Sequence, residues 1–313
     1  MSFHKNTSHA VNALLNARLI ASKRRNSFAG KVFRFASGKL NRWKDDHNQA
    51  KITNAINLLK ANHIVRPILE FRGTFELDVR SNLTHMVLNE DFGREIIPFL
   101  EAILKPGQQF IDIGANIGLY AILASQLVGD RGRVLAIEPV PSVFSLLSSN
   151  ITRNNLRNIT LFNGVVTAQS GTCHLNIVEG SPEYSSMGSI VHPHAPNKIQ
   201  ELTVLGETLD NLVSENGLDP VLVKIDVEGA EGLVLSGADF VLRNKRPAIL
   251  SELDDRLLKT LNWNSRQVIR LLEDYQYTVF DANNCNKLSS DKSVQPFIGE
   301  IVAVYEERCA SHA

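Results

Sequence analysis

The sequence predicts an α/β fold, a mainly parallel sheet with helices on both faces. Three observations predict it. From Phe110 onward, short apolar runs alternate with stretches of helical apolar spacing, the pattern of repeated strand–helix units. The run FIDIGANIGLYAIL, Phe110 to Leu123, closes an apolar strand on an acid, turns through two glycines and continues with helical spacing, like the first turn of a nucleotide-binding βαβ unit. The last two apolar runs, near Tyr277–Phe280 and Ile298–Tyr305, read as consecutive strands, which adds an antiparallel strand to the sheet.

The elements follow in order. Asp46 to Val65 reads as a helix with Ile52, Ile56 and Leu59 on one face. ILEFRGTFELDV predicts a hairpin turning near Arg72-Gly73, and His85 to Leu100 reads as a helix. Strand Phe110–Ile113 leads to a helix from about Ile117, and strand Val134–Ile137 to a helix ending near Asn154. A strand over Thr160–Val165 and a hairpin within Gly171–Val178 precede a polar Pro-, Ser- and Gly-rich segment, Glu179 to Lys198. Strand Val221–Ile225, a helix over Gly229–Leu242, strand Ala248–Ser251 and a helix near Ser265–Asp274 complete the alternation.

The chain has 313 residues, enough for one large α/β domain with additions. Three regions are expected: a basic arm (1–45), a helix-and-hairpin extension (46–105) and the ligand-binding domain (106–313). The zero net charge conceals an asymmetry. Met1 to Lys44 holds ten Lys or Arg and no acid, while the remainder holds 23 basic and 33 acidic residues. In the arm, Val11, Leu15 and Leu19 share a helical face, and Phe28, Val32 and Phe35 can share another. It reads either as a solvated arm packed on its own domain or on a second subunit of a homodimer, or as a peripheral contact with an anionic membrane surface; an acid-free start containing Ser and Arg also resembles an organelle transit peptide. No apolar run approaches bilayer-spanning length and no secretory core stands near the start. Cys173, Cys285 and Cys309 lie far apart without metal-type spacing, which predicts a reduced, cytoplasmic setting.

In an open parallel sheet, ligands bind beyond the carboxyl ends of the strands. Asp112 and Gly114 fall there after the first strand of the alternation, with Gly118 at the helix start. Asp112 makes this turn a poor cradle for pyrophosphate, which wants amide donors, and a suitable neighbour for a cation. Glu138 ends the next strand, twenty residues after Gly118, where an acid can accept both ribose hydroxyls of an adenosine. A nucleoside with a cationic group and no diphosphate fits both, and S-adenosylmethionine is such a molecule. Asp226, in LVKIDVEGAEGLVL, ends another buried strand over the same edge, with Glu228 and Glu231 at the next helix start. Those two acids also suit the dipole of a helix N-terminus. Lys224, inside an apolar strand, needs a partner, Asp226 or Glu252, or a route to the surface. Glu252 ends its own strand at the same crevice.

FIDIGANIGLYAIL, AIEPVPSVFSLLSSNITRNN, GETLDNL, VKIDVEGAEGLVLSGADFVL and RPAILSEL together resemble the FkbM-type methyltransferases in order and spacing, across roughly Gly73 to Val304. The Lys-Ile-Asp-Val-Glu-Gly-Ala-Glu block is the most specific element. The resemblance implies a class I methyltransferase (Rossmann-like) fold, a seven-stranded sheet with one antiparallel strand, S-adenosylmethionine as methyl donor, and O-methylation of a hydroxyl on a sugar, glycolipid or other secondary metabolite. Carried over by position, Asp112, Gly114, Asn116, Gly118, Glu138 and Pro139 match the cofactor motifs, and Asn163, Gly164 and Val165 match the adenine-side turn. The sequence departs just after, where the family often has an acid and Ala168 and Gln169 stand here.

Methyl transfer to a hydroxyl is an in-line displacement that needs alignment and a proton acceptor. Asp226 is the first candidate base; Glu228, Glu252 and His85 are the others, His85 because its segment could fold over the crevice. Asp226 and Glu228 could alternatively hold a divalent ion, and His192-Pro193-His194 reads as solvated loop rather than ligand, so no metal site is assigned. Two competing readings remain: a catalytically inactive methyltransferase-like glycan-binding or scaffold module, and an NAD-dependent oxidoreductase, which would lack its third glycine. The acidic body, with a basic arm free of recognisable binding motifs, predicts no nucleic-acid partner.

Overall fold

The computed structural model describes residues 62–89, 92–93, 96–178, 182–189, 199–291 and 296–305. The basic arm, most of the helix expected over 46–65, and His192 and His194 lie outside the described residues.

The first described element is a hairpin, β1 (His63–Ile68) with β2 (Gly73–Asp78), turning at Arg72-Gly73 as expected. The expected helix therefore cannot extend to Val65: the β-branched Ile64 and Val65 pair with Leu77 and Glu76 instead. Two short helices follow, α1 (Asn82–Leu88) and α2 (Ile96–Ile103), where one was expected over His85–Leu100. The chain turns between them at Gly93, whose φ is +75°.

The strand–helix alternation then begins as expected. It comprises β3 (Gln109–Ile113), α3 (Leu119–Val128), β4 (Arg133–Ile137), α4 (Pro141–Arg153) and β5 (Ile159–Phe162). After an inserted sheet come α5 (Leu209–Glu215), β9 (Leu222–Ile225), α6 (Glu231–Ser236), β10 (Ala248–Asp254), α7 (Asp255–Leu258), α8 (Ser265–Asp274), β11 (Tyr277–Asp281), β12 (Lys287–Leu288) and β13 (Ile298–Tyr305). The main sheet has the order β12-β11-β13-β10-β9-β3-β4-β5. β13 runs antiparallel between β10 and β11, the expected added strand, and seven strands become eight only through the two-residue β12 at the edge. This is the class I methyltransferase sheet.

The inserted sheet was not fully read. β7 (Gly171–Val178) is one continuous strand, not a hairpin; its partner is β8 (Ile199–Glu207), and β6 (Val165–Val166) joins β8 from the other side. The strand expected over Thr160–Val165 splits, because Asn163-Gly164 carries the chain out of the main sheet before Val165 enters the inserted one. The helix expected over Gly229–Leu242 stops at Gly237, with a separate π-turn at Val241–Lys245.

Strand alternation sorts the core into two layers. Ile111, Ile113, Val223, Ile225 and Ile249 face α5, α6 and α8. Phe110, Leu222 and Leu250 face α3, α4 and the hairpin, so Ile68, Phe75 and Leu77 share a core with Leu147 and Ile151. A period of two places Asp112, Lys224, Asp226 and Glu252 on that second face, toward its carboxyl edge.

Candidate active site

The carboxyl ends of β3, β4, β9 and β10 open into one crevice with about 1180 Å³ of empty space, mouth included. Its first wall is the turn after β3. Gly114 has φ +81°, and a Cβ there would lie 1.9 Å from the Asp226 carbonyl oxygen, so the turns after β3 and β9 meet at a distance only glycine permits. Gly118, at φ +92°, begins α3 against Leu147. Between them Asn116, at φ +50°, donates its N–H to Glu138 Oε2 at 3.0 Å, and its own Oδ1 accepts from Ile117 N at 2.8 Å.

Glu138 is the keystone of the second wall. Its Oε1 accepts from Val140 N at 2.9 Å, so each carboxylate oxygen already holds one amide and keeps a further lone pair. Burial pushes its pKa up to about 7 against the pull of these two amides. Behind it, Asn163 Nδ2 donates to the Glu138 and Pro139 carbonyls at 2.8 and 3.2 Å, fixing the turn after β5 to that after β4. Gly164 and Val165 line the crevice; Asn163 acts from behind it, and Ala168 and Gln169 are not in its wall.

The third wall carries the charge. Lys224 Nζ lies 3.0 Å from Asp226 Oδ2, 3.6 Å from Asp112 Oδ1 and 5.1 Å from the centre of the Tyr120 ring. Burial opposes the ammonium, but the two carboxylates outweigh it and hold its pKa well above the usual lysine range. Asp112 has no solvent exposure, and neither of its oxygens accepts a hydrogen bond among the described residues; burial raises its pKa, with Lys224 opposing. Asp226 is one-third exposed and lines the crevice; Lys224 holds its Oδ2, and no protein donor lies on its Oδ1 among the described residues. Glu228, at φ +52°, is pushed by burial and by Asp226 up to about 9. Glu252 is open to water yet walled by protein, and burial together with Asp226 pushes it up to about 7. At neutral pH Glu228 therefore holds its proton and suits donation, whereas Glu252, near 7, can accept one. Glu231 is internal: its Oε1 accepts from Val227 and Gly229 N–H, which secures the turn after β9.

A cover closes the site. Glu183, from the loop after β7, accepts from Asn82 N at 2.7 Å, Leu83 N at 3.3 Å and Ser81 Oγ at 3.2 Å, and Asn82 Nδ2 donates to Tyr184 Oη at 2.6 Å. These bonds seat α1 over the opening. His85 is on that helix, but Asn82, Leu83 and Met86 face the crevice and His85 does not.

The structure thus brings Gly114, Asn116, Glu138, Pro139, Gly164, Val165, Asp226, Glu228 and Glu252 to one space. Asp112, Gly118 and Asn163 support it from outside. Sequence reasoning missed Tyr120, Glu183 and Tyr184. Tyr120 carries a readable signal, two residues into a helix that starts at the binding turn; the 183–184 pair carries none, since the loop's docking on α1 spans about a hundred residues of chain.

The methyltransferase FkbM domain model matches residues 112–279, more than half of the chain. The chain belongs to the FkbM methyltransferase family. It is 25% identical over 205 residues to the 31-O-demethyl-FK506 methyltransferase FkbM of Streptomyces tacrolimicus, an alignment covering 56% of this chain and 75% of that protein. It is 28% identical over 165 residues to the methyltransferase sdnD of Sordaria araneosa, covering 43% of this chain and 62% of that one. Other curated methyltransferases match over well under two thirds of their own length. Among solved structures, the FkbM methyltransferase of Methylobacillus flagellatus aligns with TM-score 0.39 and 14% identity, over 73% of this chain and 56% of that one. The FkbM span contains every wall of the crevice from β3 to β10, while α1 and its residues Asn82, Leu83 and Met86 precede it. No helix among the described residues is long and apolar enough to cross a membrane.

Proposed function

We propose that this FkbM-family protein transfers a methyl group from S-adenosylmethionine to a hydroxyl of a sugar, glycolipid or secondary metabolite. The observation that carries the reading is the pairing of a nucleoside-type turn with an ionic cluster at one edge. Glu138 keeps acceptor lone pairs beside Gly114 and Asn116, and Asp226 faces the same crevice with one oxygen pinned by Lys224. The name of the Streptomyces relative supports oxygen as the acceptor atom.

These residues fit the cofactor. Glu138 would accept the ribose hydroxyls, Gly164 and Val165 would flank the adenine, and the acidic cluster would face the cationic end. When bound, the cofactor supplies an electrophilic methyl on a sulfonium sulfur. The protein's part is to align the acceptor and to take its proton. Lys224 holds Asp226 in one orientation, so the free Oδ1 can accept the hydroxyl proton as the oxygen attacks, for a typical gain of about 10²–10⁴. Leu83, Met86 and Phe92 exclude water above the reacting groups.

Calorimetry with S-adenosylhomocysteine tests the reading, with NADH and the Glu138→Ala variant alongside. Saturable binding, weakened about tenfold or more in the variant and absent for NADH, is expected. A folded protein that does not bind S-adenosylhomocysteine would return the chain to a scaffold role. For the basic arm, we propose peripheral attachment to anionic lipid near a lipid-linked acceptor; unchanged liposome binding after removal of residues 1–44 would reject that attachment.

A further inference from the structure

Acidic side chains outnumber basic ones in the crevice lining. Among the described residues lining it, Glu138, Glu183, Asp226, Glu228 and Glu252 are acids, and Lys224 is the single Lys or Arg. Lys224 is committed to Asp226 and Asp112. Glu183 is engaged with α1 and Glu138 with two amides. The Glu228 and Glu252 side chains make no hydrogen bond or ion pair among the described residues. Asp226, Glu300, Lys224 and Asp254 surround Glu252; Asp226, Glu252, Glu231 and Asp254 surround Glu228.

A second feature marks the same end as a ligand position. Tyr120 is 6% exposed, and its ring is packed edge-on to Phe71 at 5.4 Å and beside Phe92 at 5.8 Å, yet its hydroxyl has no hydrogen-bond partner among the described residues and borders the crevice. A buried tyrosine hydroxyl ordinarily finds one. Burial and the surrounding carboxylates hold it protonated, so it stands at the crevice as a donor.

S-adenosylmethionine carries a sulfonium, an ammonium and a carboxylate, net +1. During transfer the C–S bonding pair stays on sulfur, a lone pair of the acceptor oxygen forms the new C–O bond, and the hydroxyl proton passes to Asp226. The sulfur becomes a neutral thioether, and the product S-adenosylhomocysteine has net charge zero. We propose that the crevice reads the charge on this sulfur, binding the methyl donor more tightly than the spent donor, so that transfer itself loosens the product. The inference rests on the methyltransferase reading above. Its sign with pH follows from the same groups. Raising the pH ionises Glu252 and then Glu228, so the preference for the cation grows.

Titration calorimetry tests it with S-adenosylmethionine, S-adenosylhomocysteine and sinefungin, which has an amine in place of the sulfonium. At about pH 8.5 the two cationic compounds are expected to bind about tenfold or more tightly than S-adenosylhomocysteine. The margin should shrink to about threefold or less near pH 6, and likewise in Glu252→Gln at the higher pH. Equal affinity of wild type for methylated and spent donor at pH about 8.5, or a full margin in Glu252→Gln, overturns the proposal. Absence of binding for all three compounds by folded protein overturns instead the methyltransferase reading on which it rests.

Discussion

Asp112 and Lys224 are register partners on the adjacent parallel strands β3 and β9, and their charged groups meet 3.6 Å apart where water does not reach. The same ammonium reaches Asp226 at 3.0 Å, two residues further along its own strand. One lysine therefore joins a carboxylate buried behind the crevice to one that lines it. Without it, two acids on neighbouring strands would repel in a region of low dielectric.

Replacing Lys224 with Met should destabilise the protein by about 3–5 kcal/mol, because Asp112 would be left buried and unpaired. The double variant Lys224→Met with Asp112→Asn should recover a large part of that loss. Urea unfolding measures both, and equal stabilities for the single and double variants would rule out Asp112 as the reason.

The ligand-free protein should lose stability as pH rises from about 5 to about 9. Glu138, Glu231 and Glu252 are held near 7 and Glu228 near 9, all above the ordinary 4.5. Below pH 4.5 these groups are protonated in both states. Between 4.5 and their folded values the unfolded chain ionises first, so the folded state holds more protons and its advantage falls with each step in pH. A melting temperature that climbs from about pH 5 to about pH 8.5 would contradict this assignment.

Asp226→Asn should abolish methyl transfer while S-adenosylhomocysteine still binds. The amide can accept from Lys224 but cannot take the hydroxyl proton, so the expected loss in kcat is about 10²-fold or more. Turnover within a few-fold of wild type would move the base to Glu252.

Glu183→Ala should free α1 without unfolding the domain. It removes the acceptor of the Asn82 and Leu83 N–H groups, a cap contribution of about 1 kcal/mol. Hydrogen exchange at these amides should accelerate, and unchanged protection would show that α1 is seated by other contacts.

Most strands and helices from Phe110 onward were legible because each keeps one hydrophobic period over its length; Ile199–Glu207, Leu209–Glu215 and the four-residue Asp255–Leu258 were not. Ser265–Asp274 and Ile298–Tyr305 were read at the boundaries the structure shows. Errors fell where a local pattern has two partners to choose from. Gly171–Val178 looks like a hairpin until β8 supplies its other strand, and the run through Val165 looks continuous until Asn163 bends it toward Glu138.

The sequence by itself determined the fold class, the edge of the sheet where the crevice opens and the place of Gly114, Glu138 and Asp226 along it, because strand-end positions follow from periodicity and turn chemistry. The tertiary structure alone decided which charges meet and which protons stay. Lys224 could have paired with Asp226 or Glu252; register across β3 and β9 gave it Asp112 and Asp226. Tyr120 entered the site, His85 did not, and Glu228 became a proton holder. Ion pairing and desolvation depend on distances of a few ångströms between residues far apart in the chain, and only packing sets those distances.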